Sequence, residues 1–121
     1  MAKVSGIGGF FFRARDPQGL ARWYEEHFGI TPVDKGGGWR QEAGPTVFAP
    51  FSADTDYFGR QEQAFMLNFR VTDLDALLAD LRAAGVPSDE AIHEHVFGRF
   101  AWVYDPEGNK IELWEPGDEG H

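Results

Sequence analysis

Two stretches of this chain repeat one another, and that repeat limits the folds open to it. Phe10–Ile30 reads FFFRARDPQGLARWYEEHFGI and Met66–Val86 reads MLNFRVTDLDALLADLRAAGV. Each runs from an apolar strand through an Asp into an amphipathic helix, then to a Gly and a β-branched residue. Asp16 and Asp73 stand 57 residues apart, and Gly29 and Gly85 stand 56 apart. Matched spacing of this kind marks a duplicated unit, and two copies point to pseudo-twofold pairing rather than to a solenoid.

Each copy carries its own start and stop signals. Asp16 caps a helix whose first position is Pro17, where a missing N–H costs nothing. Asp73 offers the same cap, and Thr72 with Asp75 offers a capping-box variant one residue earlier. Leu20, Trp23, Tyr24 and Phe28 fall on one helical face, as do Leu74, Leu77, Leu78 and Leu81, so both stripes face a core. Gly29 and Gly85 suit left-handed caps, and Pro32 and Pro87 keep either helix from resuming. Strands are predicted after the first helix at Thr31–Asp34, Trp39–Glu42 and Thr46–Pro50. After the second they are predicted at about Ala91–His95, Arg99–Tyr104 and Lys110–Glu115, the last two separated by the turn signal Asp105-Pro106-Glu107-Gly108-Asn109. The order is βαβββ twice, an α+β class.

At 121 residues the chain suits one domain, 1–121, with module one at about 4–52, a connector at about 53–63 and module two at about 64–116. It contains no cysteine, which excludes disulfides, thiolate nucleophiles and Cys-ligated metals, and agrees with a cytoplasmic setting. The N-terminal segment lacks a signal-peptide apolar region, and no run approaches the ~20 apolar residues of a membrane span. A net charge of −9, with scattered Lys and Arg, argues against nucleic acid as a partner.

Alternation along the strands separates two faces. Leu67, Phe69, Val71, Ala101, Val103, Ile111 and Leu113 suit the helix side. Met66, Asn68, Arg70, Phe100, Trp102, Tyr104, Lys110, Glu112 and Trp114 then take the opposite side, and in the first strand Phe11, Arg13 and Arg15 alternate with Phe10, Phe12 and Ala14. A sheet face this aromatic suits a ligand cleft, a dimer interface or core filling better than open water.

Asp16-Pro17 leading into the aromatic helix that ends Phe28-Gly29, with DPEGNKIELWEP from Asp105 to Pro116, resembles the vicinal-oxygen-chelate superfamily of glyoxalase I, bleomycin-resistance proteins and extradiol dioxygenases. The resemblance spans nearly the whole chain, and the Asp-Pro-x-Gly-Asn-x-Ile-Glu-Leu run is its most specific part. It implies two βαβββ modules forming an eight-stranded incomplete barrel around an open cleft, completed as a homodimer. Metal-dependent members of the superfamily place His, Glu or Gln ligands near the start of each module's first strand and in each module's last strand. Carried onto this chain, those positions fall at about Gly9, within Thr46–Phe51, at about Met66 and at Glu112, so Glu112 alone is a suitable ligand and a divalent metal is not expected as a cofactor.

The resemblance therefore implies a protein that binds a small organic molecule in an aromatic cleft without the usual metal. The alternative is a lyase, isomerase or dioxygenase that uses a relocated metal site or Glu112 as base. Glu112, set among Trp102, Tyr104 and Trp114, suits a general base, an anchor for a cationic or hydroxyl group, or an ion pair with Arg13, Arg70 or Lys110. Asn68 suits a ligand carbonyl or amide, and Arg13 and Arg70 suit an anion or a solvated rim. Phe11, Met66 and Phe100 join the wall; Trp39, after the triple glycine, is placed to close over a ring. Phe48 extends the wall, while Tyr57 and Phe58 either join it or anchor the connector. Arg99 reaches toward the mouth. His93 and His95 share a face if their segment is a strand, His27 suits a helix C-terminus, and His121 is terminal and expected to be disordered.

Overall fold

A computed structural model describes residues 2–117; the expectation for His121 falls outside them. The helices form where their caps stand. Helix α1 spans Pro17–Phe28; the Asp16 carboxylate accepts from Gly19 N at its start, and Gly29 closes its end at φ 70° with its N–H on Glu25 O. Helix α2 spans Leu74–Ala83 and is capped by Asp73, which accepts from Ala76 N, so of the two registers offered by the sequence the structure uses the later one.

Four strands follow the same logic of alternation: β1 (Leu67–Arg70), β2 (His93–His95), β3 (Gly98–Tyr104) and β4 (Lys110–Pro116). They lie in the order β1-β4-β3-β2. The β1–β4 pair is parallel, with Leu67 opposite Ile111 and Asn68 opposite Glu112. The β3–β4 and β2–β3 pairs are antiparallel, with Phe100 opposite Trp114 and Trp102 opposite Glu112. Module two thus realises the full βαβββ order in a mixed four-stranded sheet.

One face of that sheet holds the core. Ala101, Val103, Ile111 and Leu113 are buried there with Leu74, Leu78 and Leu81 of α2 and Leu20 and Tyr24 of α1, and Leu67, Phe69 and Val71 pack around them. Both helices therefore serve one core, and each of its large side chains contributes about 1.5–3 kcal/mol by leaving water.

The strands expected in module one form no ladder among the described residues. Thr31–Asp34 gives way to a short 3-10 helix at Val33–Lys35, where Lys35 N donates to Pro32 O and Lys35 Nζ reaches Glu25 on α1 at 2.6 Å. Gly36, Gly37 and Gly38 then take φ values of 71°, 74° and 68°, a left-handed run that only glycine sustains and that turns the chain out of a strand. Thr46–Pro50 lies between prolines, Pro45 and Pro50, that remove ladder donors. This region leaves large apolar groups in solvent: Phe11 is 92% exposed, Phe48 84% and Val47 70%.

The turn Asp105–Asn109 fastens module two to α1. Asp105 is buried, and its carboxylate accepts from Glu107 N, Asn109 N, Asn109 Nδ2 and the Tyr24 hydroxyl, the last at 2.7 Å. Burial, then the bond to Asp105, lift the Tyr24 hydroxyl far above the ordinary tyrosine range. Glu107 accepts from Arg15 N and Asp16 N at 2.7 and 2.9 Å, just ahead of the helix.

Candidate functional site

The face of the sheet opposite the core bounds a cavity of about 1000 Å³. Its floor is Met66 and Asn68 of β1 and its approach, Phe100 of β3, and Glu112 and Trp114 of β4; its other wall is the chain from Pro45 to Phe65. Period-two alternation puts these residues together: Asn68, Phe100, Glu112 and Trp114 point away from the core because Leu67, Phe69, Ala101, Ile111 and Leu113 point into it. Phe100 and Trp114, cross-strand partners, hold their rings 6° from parallel with centroids 6.2 Å apart. Both residues line the cavity.

Glu112 is the polar centre of this face and is only 8% exposed. Three donors meet it. Asn68 Nδ2 donates to Oε1 at 2.6 Å, Trp102 Nε1 donates to Oε2 at 3.0 Å, and the Tyr57 hydroxyl donates to Oε2 at 2.5 Å. All three are neutral. Of the cations weighed as partners in the sequence, Arg70 instead donates to Glu42 O, Lys110 donates to Tyr57 O, and Arg13 is exposed. A buried carboxylate is satisfied here by hydrogen bonds rather than by an ion pair.

That donor set does not fit a divalent cation. A metal needs several converging acceptors, and Glu112 is surrounded by N–H and O–H groups that compete with a cation for its oxygens. Among the described residues no three His, Asp or Glu side chains come together as a candidate cluster. His93 and His95 are exposed; His93 meets the edge of the Trp102 ring at 4.8 Å and His95 stacks on Phe97 at 5.1 Å.

The other residues singled out in the sequence fall in several places. Trp102 reaches Glu112 from beside the cavity. The Tyr104 hydroxyl donates to Asp89 Oδ1 at 2.9 Å, and burial together with that carboxylate pushes it up to about 12. Phe11, Arg13, Trp39 and Phe48 do not line the cavity, and Trp39 packs against Phe69 on the core side. Arg99 pairs with Asp75 through two bonds of 2.9 and 3.0 Å, and also lies 3.3 Å from Glu94. His27 lies in the last turn of α1 against Trp23.

Two features were not anticipated. Phe97, in the turn between β2 and β3, lines the cavity and accepts from Trp114 Nε1 at 2.8 Å. Gln63, 5% exposed, clamps the connector to β4 in both directions: Lys110 N donates to Gln63 Oε1 at 2.8 Å, and Gln63 Nε2 donates to Lys110 O at 2.9 Å. A glutamine in a polar stretch carries no pattern that announces burial; only its partners across the fold do.

With this geometry in view, the comparisons with known proteins are consistent with one another. The profile described as Glyoxalase/Bleomycin resistance protein/Dioxygenase superfamily matches residues 6–113. No curated protein matches the chain. Among solved structures, TnmS3, an antibiotic binding protein from Streptomyces sp. CB03234, is 26% identical with a TM-score of 0.65, over 97% of this chain and 100% of its own. Lactoylglutathione lyase from Agrobacterium tumefaciens is 20% identical with a TM-score of 0.62, over 94% and 96% respectively. The trypanothione-dependent glyoxalase I of Leishmania major is 22% identical with a TM-score of 0.55, over 86% and 81%. The last two likenesses concern the fold alone.

Proposed function

The chain belongs to the Glyoxalase/Bleomycin resistance protein/Dioxygenase superfamily, and on that premise we propose that it binds a small organic molecule in its aromatic cavity without the metal centre of the metal-dependent members. The observation that carries this reading is the cavity itself: about 1000 Å³, walled by aromatic and aliphatic side chains, with one carboxylate on its floor. Concave, mostly apolar sites with few polar groups are the usual form of small-molecule sites. The full-length similarity to an antibiotic binding protein supports sequestration as the mode of action.

The enzyme reading places Glu112 as a base acting without metal. It draws support from the carboxylate's place in the cavity, where Oε1 accepts from Asn68 and keeps a lone pair that a substrate proton could reach.

The same proposal includes a second copy of the chain as partner. The exposed Phe11, Val47 and Phe48, on segments that form no ladder among the described residues, support a homodimer in which module one completes an eight-stranded barrel. No helix of the described residues is long and apolar enough to cross a membrane; the lack of cysteine supports a cytoplasmic setting and the negative charge speaks against nucleic acid.

Native mass spectrometry of protein purified from cells without chelator reads all of this together. The expected species is a dimer that carries no stoichiometric divalent ion and retains or accepts an organic ligand. A stoichiometric ion would overturn the metal-free reading and favour an enzyme with a relocated metal site instead. In parallel, 9-aminoacridine is expected to quench tryptophan emission, and Trp102→Ala and Glu112→Ala are each expected to weaken its binding at least about tenfold. Unchanged quenching in both variants would remove the cavity as the site.

A further inference from the structure

Tyr57 belongs to no motif and to neither module, yet it supplies the shortest of the three bonds to Glu112. It is held there from several sides. Lys110 Nζ donates to Tyr57 O at 2.8 Å and lies 5.0 Å from the Tyr57 ring centre and 5.5 Å from the Trp102 ring. The Tyr57 ring meets Trp102 edge to face at 6.2 Å and stacks on Phe51 at 5.6 Å. Farther along, Gln63 bonds the backbone of Lys110, so the connector has little freedom to move away from β4.

This attachment divides the carboxylate into two unlike halves. Oε2 accepts from both Tyr57 and Trp102, and its lone pairs are spent. Among the described residues Oε1 accepts from Asn68 alone. Glu112 and Asn68 line the cavity, whereas Tyr57 and Trp102 do not. The half that remains open to hydrogen bonding is thus the Oε1 half, beside a carboxamide, in a cavity that Phe100 and Trp114 also line.

We propose that Tyr57 is a specificity-determining positioning residue: by occupying Oε2 it sets the free lone pair of Glu112 Oε1 beside Asn68 as the cavity's anionic acceptor, which selects planar ligands presenting an N–H or O–H donor over ligands presenting a carboxylate. The proposal rests on the reading of the cavity as a small-molecule site. Arg60 is the one cation among the described residues that line the cavity, and it is drawn toward Asn109, whose Oδ1 accepts from its Nη2 at 3.3 Å. An anionic ligand would have to bind there, against the charge of Glu112.

Three probes of one shape test this: 2-naphthol, 2-methoxynaphthalene and 2-naphthoate, with dissociation constants from calorimetry. In the wild type 2-naphthol is expected to bind about tenfold more tightly than 2-methoxynaphthalene, with 2-naphthoate weakest, because a hydrogen bond to a charged acceptor is worth about one such factor. In Tyr57→Phe the preference is expected to shrink below about threefold, while the affinity for 2-methoxynaphthalene, which needs no acceptor, stays within about twofold. A preference that survives Tyr57→Phe, or 2-naphthoate binding tightest, overturns the proposal. Binding of all three probes without discrimination overturns it and leaves the cavity reading standing; binding of none overturns both.

A probe-free measurement covers the case in which Tyr57→Phe does not fold. Burial, then the hydrogen bond and charge of Glu112, hold the Tyr57 hydroxyl well above the ordinary tyrosine value of 10. Carbon-13 NMR of Cζ-labelled tyrosine should show this in the wild type, and Glu112→Gln should move the Tyr57 titration down toward 10. A Tyr57 that titrates alike in both proteins is not held by the carboxylate, and the proposal fails.

Discussion

At the scale of single residues, two positions carry constraints that composition does not show. Glu112 was legible in the sequence as the acid of an aromatic face, because alternation with Ile111 and Leu113 determines its side. Its donors were only partly legible. Asn68 and Trp102 sit on neighbouring strands, opposite Glu112 in register, but Tyr57 is 55 residues away in sequence on an irregular segment, and no periodicity links the two. Gly98 is the second position. It begins β3 at φ 127°, and a Cβ there would run into the backbone carbonyl of Glu115 on the paired strand. Gly98→Ala is expected to destabilise the fold by about 1–3 kcal/mol, the cost of a strained backbone position. Urea unfolding should show a lower midpoint with an unchanged slope. A variant as stable as the wild type would mean that the β2–β3 turn relaxes freely.

At the scale of elements, the structure explains why one signature was informative and the four expected strands of module one were not. The Asp105–Asn109 run reads as a turn from its residue types alone. Its geometry has a reason that lies elsewhere in the chain: Asp105 takes the Tyr24 hydroxyl of α1, and Glu107 takes the N–H groups of Arg15 and Asp16. Those two N–H groups hold the Glu107 carboxyl below its ordinary value of 4.5. A lowered folded-state value means that the ionised form is favoured by folding. Its stabilising contribution is therefore fully present above 4.5 and is lost as pH falls through the lowered value. Glu107→Gln should be less stable than the wild type at pH 7, and the gap should close as the pH is lowered below 4.5 in a series of thermal melts. Asp75, lowered by Arg99, titrates in both proteins and cancels from the comparison. A gap independent of pH would show that Glu107 acts by shape and not by charge. The expected strands of module one, by contrast, are short stretches between glycine and proline breaks that carry no local information about a neighbour to pair with. Strand pairing is a property of two segments, and at Thr31–Asp34 a local turn anchored by Lys35 on Glu25 prevails. The helices depend on their own caps, so both were legible to within a residue or two.

At the scale of the whole molecule, the order β1-β4-β3-β2 has a consequence for how the domain assembles. The β3 and β4 strands are joined by a five-residue turn and pair along seven residues of each, so their hairpin closes a short loop. The partner on the far side of β4 is β1, and each of its contacts spans 44 residues, as in Leu67 with Ile111. Loop-closure entropy and topology make such parallel pairing slow relative to a hairpin. The hairpin is therefore expected to be formed in the folding transition state, with β1 docking afterward. In stopped-flow refolding, Val103→Ala should slow folding in proportion to the stability it removes, whereas Phe69→Leu should chiefly speed unfolding. The reverse pattern would place the parallel pair first. If the hairpin does lead, the cavity floor is among the last surfaces to exist on the refolding path: Asn68 can meet Glu112 only when β1 arrives, so a ligand added during refolding can speed only steps after that docking.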